Sequence, residues 1–204
     1  MTGTSKRTRS EDKMKNTKDI TLLGIMTAVI IIMLVVPGLG FIPIGLIKAT
    51  IVHIPVIILA IVKGPKLGGT LGAIFGIASI LDKILRPTIT SFIFINPIIS
   101  VLPRILIGVV TGYLALYLRR KNMNDYIKIA IPAAVGSLTN TVGVLSLIYL
   151  LYGQAYLEAI GKVGQSAALV IGYTAITNGL VEMLVSIVIA SPISKALIKL
   201  DKRG

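Results

Sequence analysis

The sequence contains no cysteine, no tryptophan and only one histidine, His53, and just eight of its 204 residues are acidic. The absence of cysteine excludes disulfide bonds, thiolate metal sites and cysteine nucleophiles. A single histidine cannot provide the paired histidines of an H-E-x-x-H zinc motif, and no serine, histidine and aspartate occur in a hydrolase order. The sequence therefore predicts a protein that is not an enzyme and that holds no metal or cofactor.

A complete phosphate-binding loop is missing as well. Gly64 and Gly69 have the spacing of the glycines in a Walker motif, but Thr70 stands where that motif requires a lysine. We therefore expect any ATP-driven step to be performed by another chain. Gly64-Pro65 instead indicates a tight turn between two helices.

Apolar residues dominate the chain, which is 54% hydrophobic and has a mean hydropathy of +0.90. A water-soluble domain of this size would need more polar sequence to cover its surface. A helix that crosses the hydrocarbon core of a membrane needs roughly 20 apolar residues. Six stretches of about this length are Ile20–Val36, Leu46–Val62, Leu67–Leu81, Ile93–Leu118, Ile129–Leu151 and Ala167–Ala190. The predicted fold class is an all-α integral membrane protein with six transmembrane helices.

The 21 lysine and arginine residues are distributed unevenly between the two sides of these helices. Sixteen fall in the tails and loops on the side of the N-terminus, and five fall on the other side. Because cytoplasmic loops of membrane proteins are rich in lysine and arginine, both termini are predicted to be cytoplasmic. The net charge of +13 then reflects contact with anionic lipid rather than with nucleic acid, for which the sequence has no motif.

Three regions follow one another along the chain. Residues 1–19 are polar and basic and lack apolar periodicity, so we expect a disordered cytoplasmic tail. Residues 20–198 form the six-helix membrane domain, and residues 199–204 form a second cytoplasmic tail. The first apolar stretch has no small-residue cleavage site and precedes five others, so it is predicted to be a retained helix rather than a signal peptide.

Small residues recur at helical spacing in two of the predicted helices. Gly68, Gly72 and Gly76 fall on one face of the third helix, where missing side chains allow a neighbouring helix to approach closely. Gly24 and Ala28 form a similar pair in the cytoplasmic half of the first helix. This second pair has two interpretations, which are packing inside the protein and docking of another membrane protein.

Five polar side chains in the outer halves of the helices form the candidate ligand site: Lys48, His53, Arg104, Asn140 and Asn178. Burying such groups in hydrocarbon is unfavourable and needs a reason. Under the predicted topology these residues come from four helices and share a band of depth. They therefore predict one pocket that faces outward and has a few polar groups in apolar walls.

Each of these residues also has a purely structural interpretation. Arg104 could extend its head to the outer lipid headgroups. His53 could bond the carbonyl group that Pro55 leaves free, and the two asparagines could form hydrogen bonds between helices. Glu182 lies one turn deeper than Asn178 and is either a structural group or a functional one.

Several strings in the sequence resemble the substrate-binding S-components of energy-coupling factor (ECF) vitamin transporters. They are IPIG at 42–45, KATIVHIPVI at 48–57, KGPKLG at 63–68, SFIF at 91–94 and PRIL at 103–106. Within that family the chain is most similar to the pantothenate-type members. Asn96-Pro97 departs from the Ser-Pro expected at that point.

The resemblance implies a six-helix protein of the prokaryotic cell membrane that captures a micronutrient at the outer side. S-components then associate with a transmembrane coupling protein and two ATPase subunits through small residues on the first helix, which Gly24 and Ala28 match here. The vitamin implied is pantothenate, which has a carboxylate, an amide and two hydroxyl groups. Arg104 would pair the carboxylate, with Lys48 as an alternative.

Three other functions stay open at this point. The first is import of a different micronutrient by the same kind of subunit. The second is a stand-alone secondary transporter that uses Glu182 as a proton site, although the two halves of the chain show no convincing repeat. The third is an intramembrane enzyme, which the missing catalytic residues disfavour.

Overall fold

The computed structural model describes the backbone of residues 3–44 and 47–201, and the side chains of residues 17–41 and 50–201. Within these ranges the chain is helical apart from loops and one β-hairpin. The elements in chain order are α1 (Gly3–Val35), β1 (Phe41–Ile44), β2 (Ile47–Thr50), α2 (Ile54–Lys63), α3 (Pro65–Leu85), α4 (Ser91–Phe94), α5 (Pro97–Ser100), α6 (Leu102–Arg119), α7 (Asp125–Ala159) and α8 (Ala167–Asp201).

Five helical segments in the described part are long and apolar enough to cross a membrane: Thr17–Val35, Pro65–Leu85, Pro97–Arg119, Asp125–Ala159 and Ala167–Asp201. This confirms the predicted all-α membrane fold. Both α7 and α8 extend beyond the predicted apolar stretches, and α7 is kinked at Tyr152, whose φ of −138° and ψ of 17° are not helical. The total of six spans stays a prediction.

The second predicted helix differs from the one observed. The prediction of a continuous helix over 46–62 is wrong, because α2 begins only at Ile54 and the preceding residues form β2 and a turn. Pro55 explains this start, since proline fits the first turn of a helix and disfavours helical backbone in the residue before it. With ten residues, α2 is about 15 Å long, half the thickness of a hydrocarbon core.

Although α2 is short, it lies at the centre of the molecule. Every residue from Ile54 to Val62 is buried, and the helix packs against α1, α3, α6, α7 and α8. Its backbone therefore lies inside protein rather than in lipid. A short helix and an irregular approach to it are tolerated there because protein groups can satisfy the backbone donors.

The fourth predicted helix is also interrupted. Residues 93–118 do not form one helix, because the chain turns at Ile95–Asn96 and again at Val101 to give α4, α5 and α6. Pro97 and Pro103 each lie in the first turn of a new helix, and the Asn96 side chain caps α5 by accepting a hydrogen bond from the Ile98 amide at 2.9 Å.

The ends of α2, α6 and α8 meet the middle of α1 at one end of the bundle. Lys63, the last residue of α2, pairs with Asp19 of α1 at 2.8 Å and with Asp201 of α8 at 2.6 Å. Arg119 at the end of α6 donates hydrogen bonds to two carbonyl groups in the last turn of α2. The assignment of this end to the cytoplasm follows from the charge distribution and stays a prediction.

The predicted tails stay predictions too. Helix α1 begins at Gly3, within the segment 1–19 that composition predicts to be a disordered tail, and α8 continues to Asp201. The side chains of residues 1–16 lie outside the described part of the chain. The boundaries at residues 20 and 198 are therefore not tested.

The glycines of α3 pack against the backbone of the neighbouring helices, as their spacing predicts. A Cβ atom added at Gly72 would lie 2.1 Å from the carbonyl oxygen of Arg104, and one at Gly76 would lie 2.6 Å from that of Ser100. On α6, a Cβ atom at Gly108 would lie 2.1 Å from the backbone of Gly68. The two helices are thus in backbone contact along most of their length.

This contact predicts that a single methyl group at position 72 destabilises the protein. Gly72→Ala should lower the free energy of unfolding by about 1–3 kcal/mol, because α3 and α6 must separate to admit the methyl group. The measurement is thermal unfolding of the detergent-purified chain. Gly24→Ala is the matched control, since a Cβ atom at Gly24 meets nothing within 4 Å. Equal melting temperatures for the wild type and Gly72→Ala would contradict the prediction.

Candidate functional site

Arg104 lies in the first turn of α6 and is 8% exposed. Its Nη1 donates a hydrogen bond to the carbonyl oxygen of Ile99 at 2.6 Å, and its guanidinium carbon lies 5.5 Å from the centre of the Phe75 ring. Its Nε has no hydrogen-bond partner. An arginine that extends to the lipid headgroups would have an exposed head, so burial contradicts that structural interpretation.

The charge of Arg104 is not neutralised by the protein around it. Among the described side chains, no carboxylate forms an ion pair with this guanidinium. A buried cation without a counter-ion is strongly unfavourable, whereas the same cation next to an anion is tolerated. The arrangement is therefore suited to an anionic ligand, which would also use the free Nε donor.

Helix α7 approaches the start of α6 at the level of Asn140. A Cβ atom added at Gly143 of α7 would lie 3.1 Å from the Cβ atom of Pro103, next to Arg104. Asn140 is half-buried one turn away, and its Oδ1 is buried without a hydrogen-bond partner. This side chain therefore has an unused acceptor close to the helix that carries the cation.

Helix α8 meets α7 in the same layer. A Cβ atom added at Gly179 would lie 3.1 Å from the side chain of Thr141. In the sequence, Asn178 precedes Gly179 and Asn140 precedes Thr141. Asn178 is half-buried, and the described contacts include no hydrogen bond from its side chain. Helix α7 thus packs against α6 on one side and α8 on the other at the level of the predicted arginine and asparagines. Among the described contacts, neither amide forms a hydrogen bond between helices.

His53 is fully buried at the start of α2. Its Nε2 lies 3.3 Å from Oγ of Ser137 on α7 and 3.1 Å from Oγ of Ser186 on α8, while its Nδ1 has no partner. The ring therefore joins three helices through serine hydroxyl groups. The interpretation in which it bonds the carbonyl freed by Pro55 does not match these contacts.

Glu182 is the buried polar residue whose role the sequence left open. Its Oε1 accepts a hydrogen bond from the backbone amide of Thr50 at 2.9 Å, and its Oε2 accepts one from the hydroxyl of Thr141 at 3.2 Å. The carboxylate thus fixes the end of β2 against α7 and α8. Its position in an apolar stretch signals a buried acceptor, but sequence spacing alone does not reveal that the donor is a strand amide 132 residues away.

The side chain of Lys48 lies outside the described part of the chain. Its backbone belongs to β2, where it is opposite Pro43 of β1. Its contact with a ligand therefore stays a prediction. Among the described residues, no group of three or more histidine, aspartate and glutamate side chains is placed to hold a metal ion.

A cavity of about 560 Å³ lies beside the kink of α7. Its walls are residues 149–155 of α7 and residues 166–168 at the start of α8, and it does not include the five predicted site residues. Tyr152 at the kink accepts a hydrogen bond from Asn96 Nδ2 at 3.2 Å and packs edge to face against Phe92. The predicted apolar stretch Ile129–Leu151 ends directly before this kink, but a bend inside one continuous helix was not predicted.

The small residues of α1 are on the outside of the molecule. Gly24 and Ala28 are exposed, and a Cβ atom at Gly24 would have no neighbour within 4 Å. Large apolar side chains next to them, among them Ile25 and Ile32, are exposed as well. Packing inside the described protein therefore does not explain this pair.

Comparison with known proteins identifies one protein family. The family model "ECF transporter, substrate-specific component" matches residues 18–194. The matched region contains all the site residues described above and both small residues of α1.

Two curated proteins are similar to the chain. The pantothenic acid transporter PanT of Lactococcus lactis subsp. cremoris is 28% identical over 205 residues, which cover 92% of this chain and 97% of that protein. The pantothenate transporter PanT of Leuconostoc mesenteroides subsp. mesenteroides is 31% identical over 138 residues, which cover 64% of this chain and 68% of that protein.

Proposed function

Because the chain belongs to the family of substrate-specific components of ECF transporters, we propose that it captures pantothenate at the outer face of the membrane for import. The observation that supports this most is the buried guanidinium of Arg104, which lacks an ionic partner among the described residues. Pantothenate has a carboxylate, which is a suitable partner for such a cation. The names of both similar proteins point to the same vitamin.

Each polar group of pantothenate has a matching group on the protein in this proposal. Arg104 pairs the carboxylate through its planar fork, and Lys48 adds a second positive charge at the hairpin. Asn140 and Asn178 bond the amide and hydroxyl groups, for which the buried Oδ1 of Asn140 is an available acceptor. His53 contributes its unpaired Nδ1 or holds the surrounding helices in place.

Import requires partners, since the sequence has no nucleotide-binding motif. We propose that a transmembrane coupling protein and two ATPase subunits supply the energy and that the coupling protein docks on Gly24 and Ala28 of α1. The exposed position of this pair supports docking, because two helices approach closely only where side chains are small.

The first prediction of this proposal concerns the carboxylate. Arg104→Ala should weaken pantothenate binding by about 2–5 kcal/mol, and Arg104→Lys should weaken it by a smaller amount because lysine cannot form the two parallel hydrogen bonds. Pantothenol, which has a hydroxyl group in place of the carboxylate, separates this effect from loss of folding. The wild type should bind the acid far more tightly than the alcohol, and Arg104→Ala should bind both equally.

Binding is measured by titration calorimetry on the purified chain. Arg120→Ala is the control for a general loss of positive charge, since Arg120 is exposed after the end of α6. A wild type that binds the acid and the alcohol with equal affinity would refute the role of Arg104 in carboxylate binding.

The second prediction concerns the docking face. Gly24→Leu or Ala28→Leu should abolish uptake by the complete transporter while leaving the affinity of the isolated chain for pantothenate nearly unchanged, because the bulky side chain blocks only the partner. Gly172→Leu is the matched control, since a Cβ atom at this glycine of α8 also meets nothing within 4 Å. Loss of ligand binding in Gly24→Leu, or normal uptake by it, would contradict docking on this face.

A further inference from the structure

Two cationic side chains attach helix α1 to other helices, Arg86 at its last turn and Lys63 at Asp19 in its middle. At the outer end, Arg86 donates hydrogen bonds to the carbonyl oxygens of Leu34 and Val35, both at 2.7 Å. These carbonyls belong to the last turn of α1, where no helical donor is available. The guanidinium is held in turn by Asp82 of α3. Arg86 thus acts as a C-terminal cap supplied by another helix.

In the middle of α1, Lys63 holds the helix through Asp19. The lysine Nζ lies 2.8 Å from Asp19 Oδ1 and 2.6 Å from Asp201 Oδ1, and the lysine side chain is only 9% exposed. One ammonium group therefore links α1, α2 and α8. Charge networks of this kind contribute more than isolated surface ion pairs, because one ordered side chain serves two partners.

The Lys63 cluster spans a gap between two helices. In the described part of the chain, no Cα atom of α1 comes within 8 Å of one in α8. A groove of about 220 Å³ lies between them, and its walls include Leu22 of α1 and Leu197 of α8. Across this gap the two ion pairs of Lys63 link the middle of α1 to the end of α8.

The cluster and the exposed small residues occupy opposite faces of α1. Gly24 and Ala28 follow Asp19 by five and nine residues, which places them about 140° and 180° around the helix at 100° per residue. Asp19, Met26 and Ile30 face the protein, whereas Gly24 and Ala28 are exposed. A substitution at Lys63 therefore does not alter the residues of the exposed Gly24 and Ala28 face. It acts on that face through the position of α1.

We propose that Lys63 is a positioning residue for assembly: by pairing with Asp19 and Asp201 it holds α1 in the orientation in which the Gly24 and Ala28 face fits a partner helix. This inference rests on the proposed function, since it presumes that the face docks a coupling protein. It also gives a role to Lys63 in the Lys63-Gly64-Pro65-Lys66 turn. Ligand binding does not require this lysine.

The test compares the two lysines of this one turn. Lys63→Met keeps the apolar stem and removes the charge, and Lys66→Met is the matched control because Lys66 is exposed. Both variants are reconstituted with the coupling protein and the ATPases in vesicles. The measurements are pantothenate uptake, affinity of the chain for the coupling module, and affinity for pantothenate.

We expect Lys63→Met to lose affinity for the module and uptake several-fold, with unchanged affinity for pantothenate, and Lys66→Met to behave as the wild type. The exchange Lys63→Asp with Asp201→Lys restores opposite charges across the gap and should recover part of the lost assembly. A general loss of folding would not be rescued by this exchange.

The outcomes separate this inference from the proposed function. If wild-type vesicles do not import pantothenate, the proposed function fails. If they do and Lys63→Met assembles and imports normally, the positioning role of Lys63 is refuted while the proposed function stands. Loss of pantothenate binding in Lys63→Met, or no recovery in the charge exchange, would also overturn the positioning role.

Discussion

The backbone contact between α3 and α6 is the constraint on which the remaining structure depends. At Gly72 the helices are so close that a Cβ atom would lie 2.1 Å from the carbonyl oxygen of Arg104. Phe75, less than one turn further along α3, lies under the guanidinium of that arginine. The glycines that allow this tight packing therefore also fix the position of the Arg104 backbone, from which the buried guanidinium extends. One interface therefore sets both the packing of α3 against α6 and the position of Arg104, because missing side chains leave only one distance at which the helices fit.

The buried polar groups fall into two classes. His53 bonds to two serines, and Glu182 bonds to Thr50 and Thr141, so both are satisfied largely within the protein. Arg104 Nε and Asn140 Oδ1 are buried without a partner. Since buried polar groups in proteins are nearly always paired, these two atoms support the proposed ligand site. Glu182 has donors of its own, which makes it an anchor for the hairpin rather than a free proton site.

The sequence predicted those features that depend on local composition. Apolar length identified the membrane fold, and four-residue spacing identified the glycine contact of α3. The role of Arg104 in ligand binding stays a prediction. The sequence did not predict that α2 begins only at Ile54 or that two turns interrupt the helix over residues 93–118. An apolar stretch is compatible with helical or irregular backbone wherever protein surrounds it, so its composition does not reveal such interruptions. The sequence also missed the link from Glu182 to Thr50 and the Lys63 cluster. The pairs Thr50–Glu182 and Lys63–Asp201 join residues more than 100 positions apart in the chain, so tertiary packing decides their pairing.

The central claim is that this chain captures the vitamin and that other subunits perform the work of transport. The most direct measurement places the purified chain alone in vesicles with labelled pantothenate outside and ATP on either side. We predict saturable binding that reaches one pantothenate per chain with no accumulation inside. Sustained uptake against a concentration gradient by the chain alone would contradict the account, and so would a failure of the folded chain to bind pantothenate.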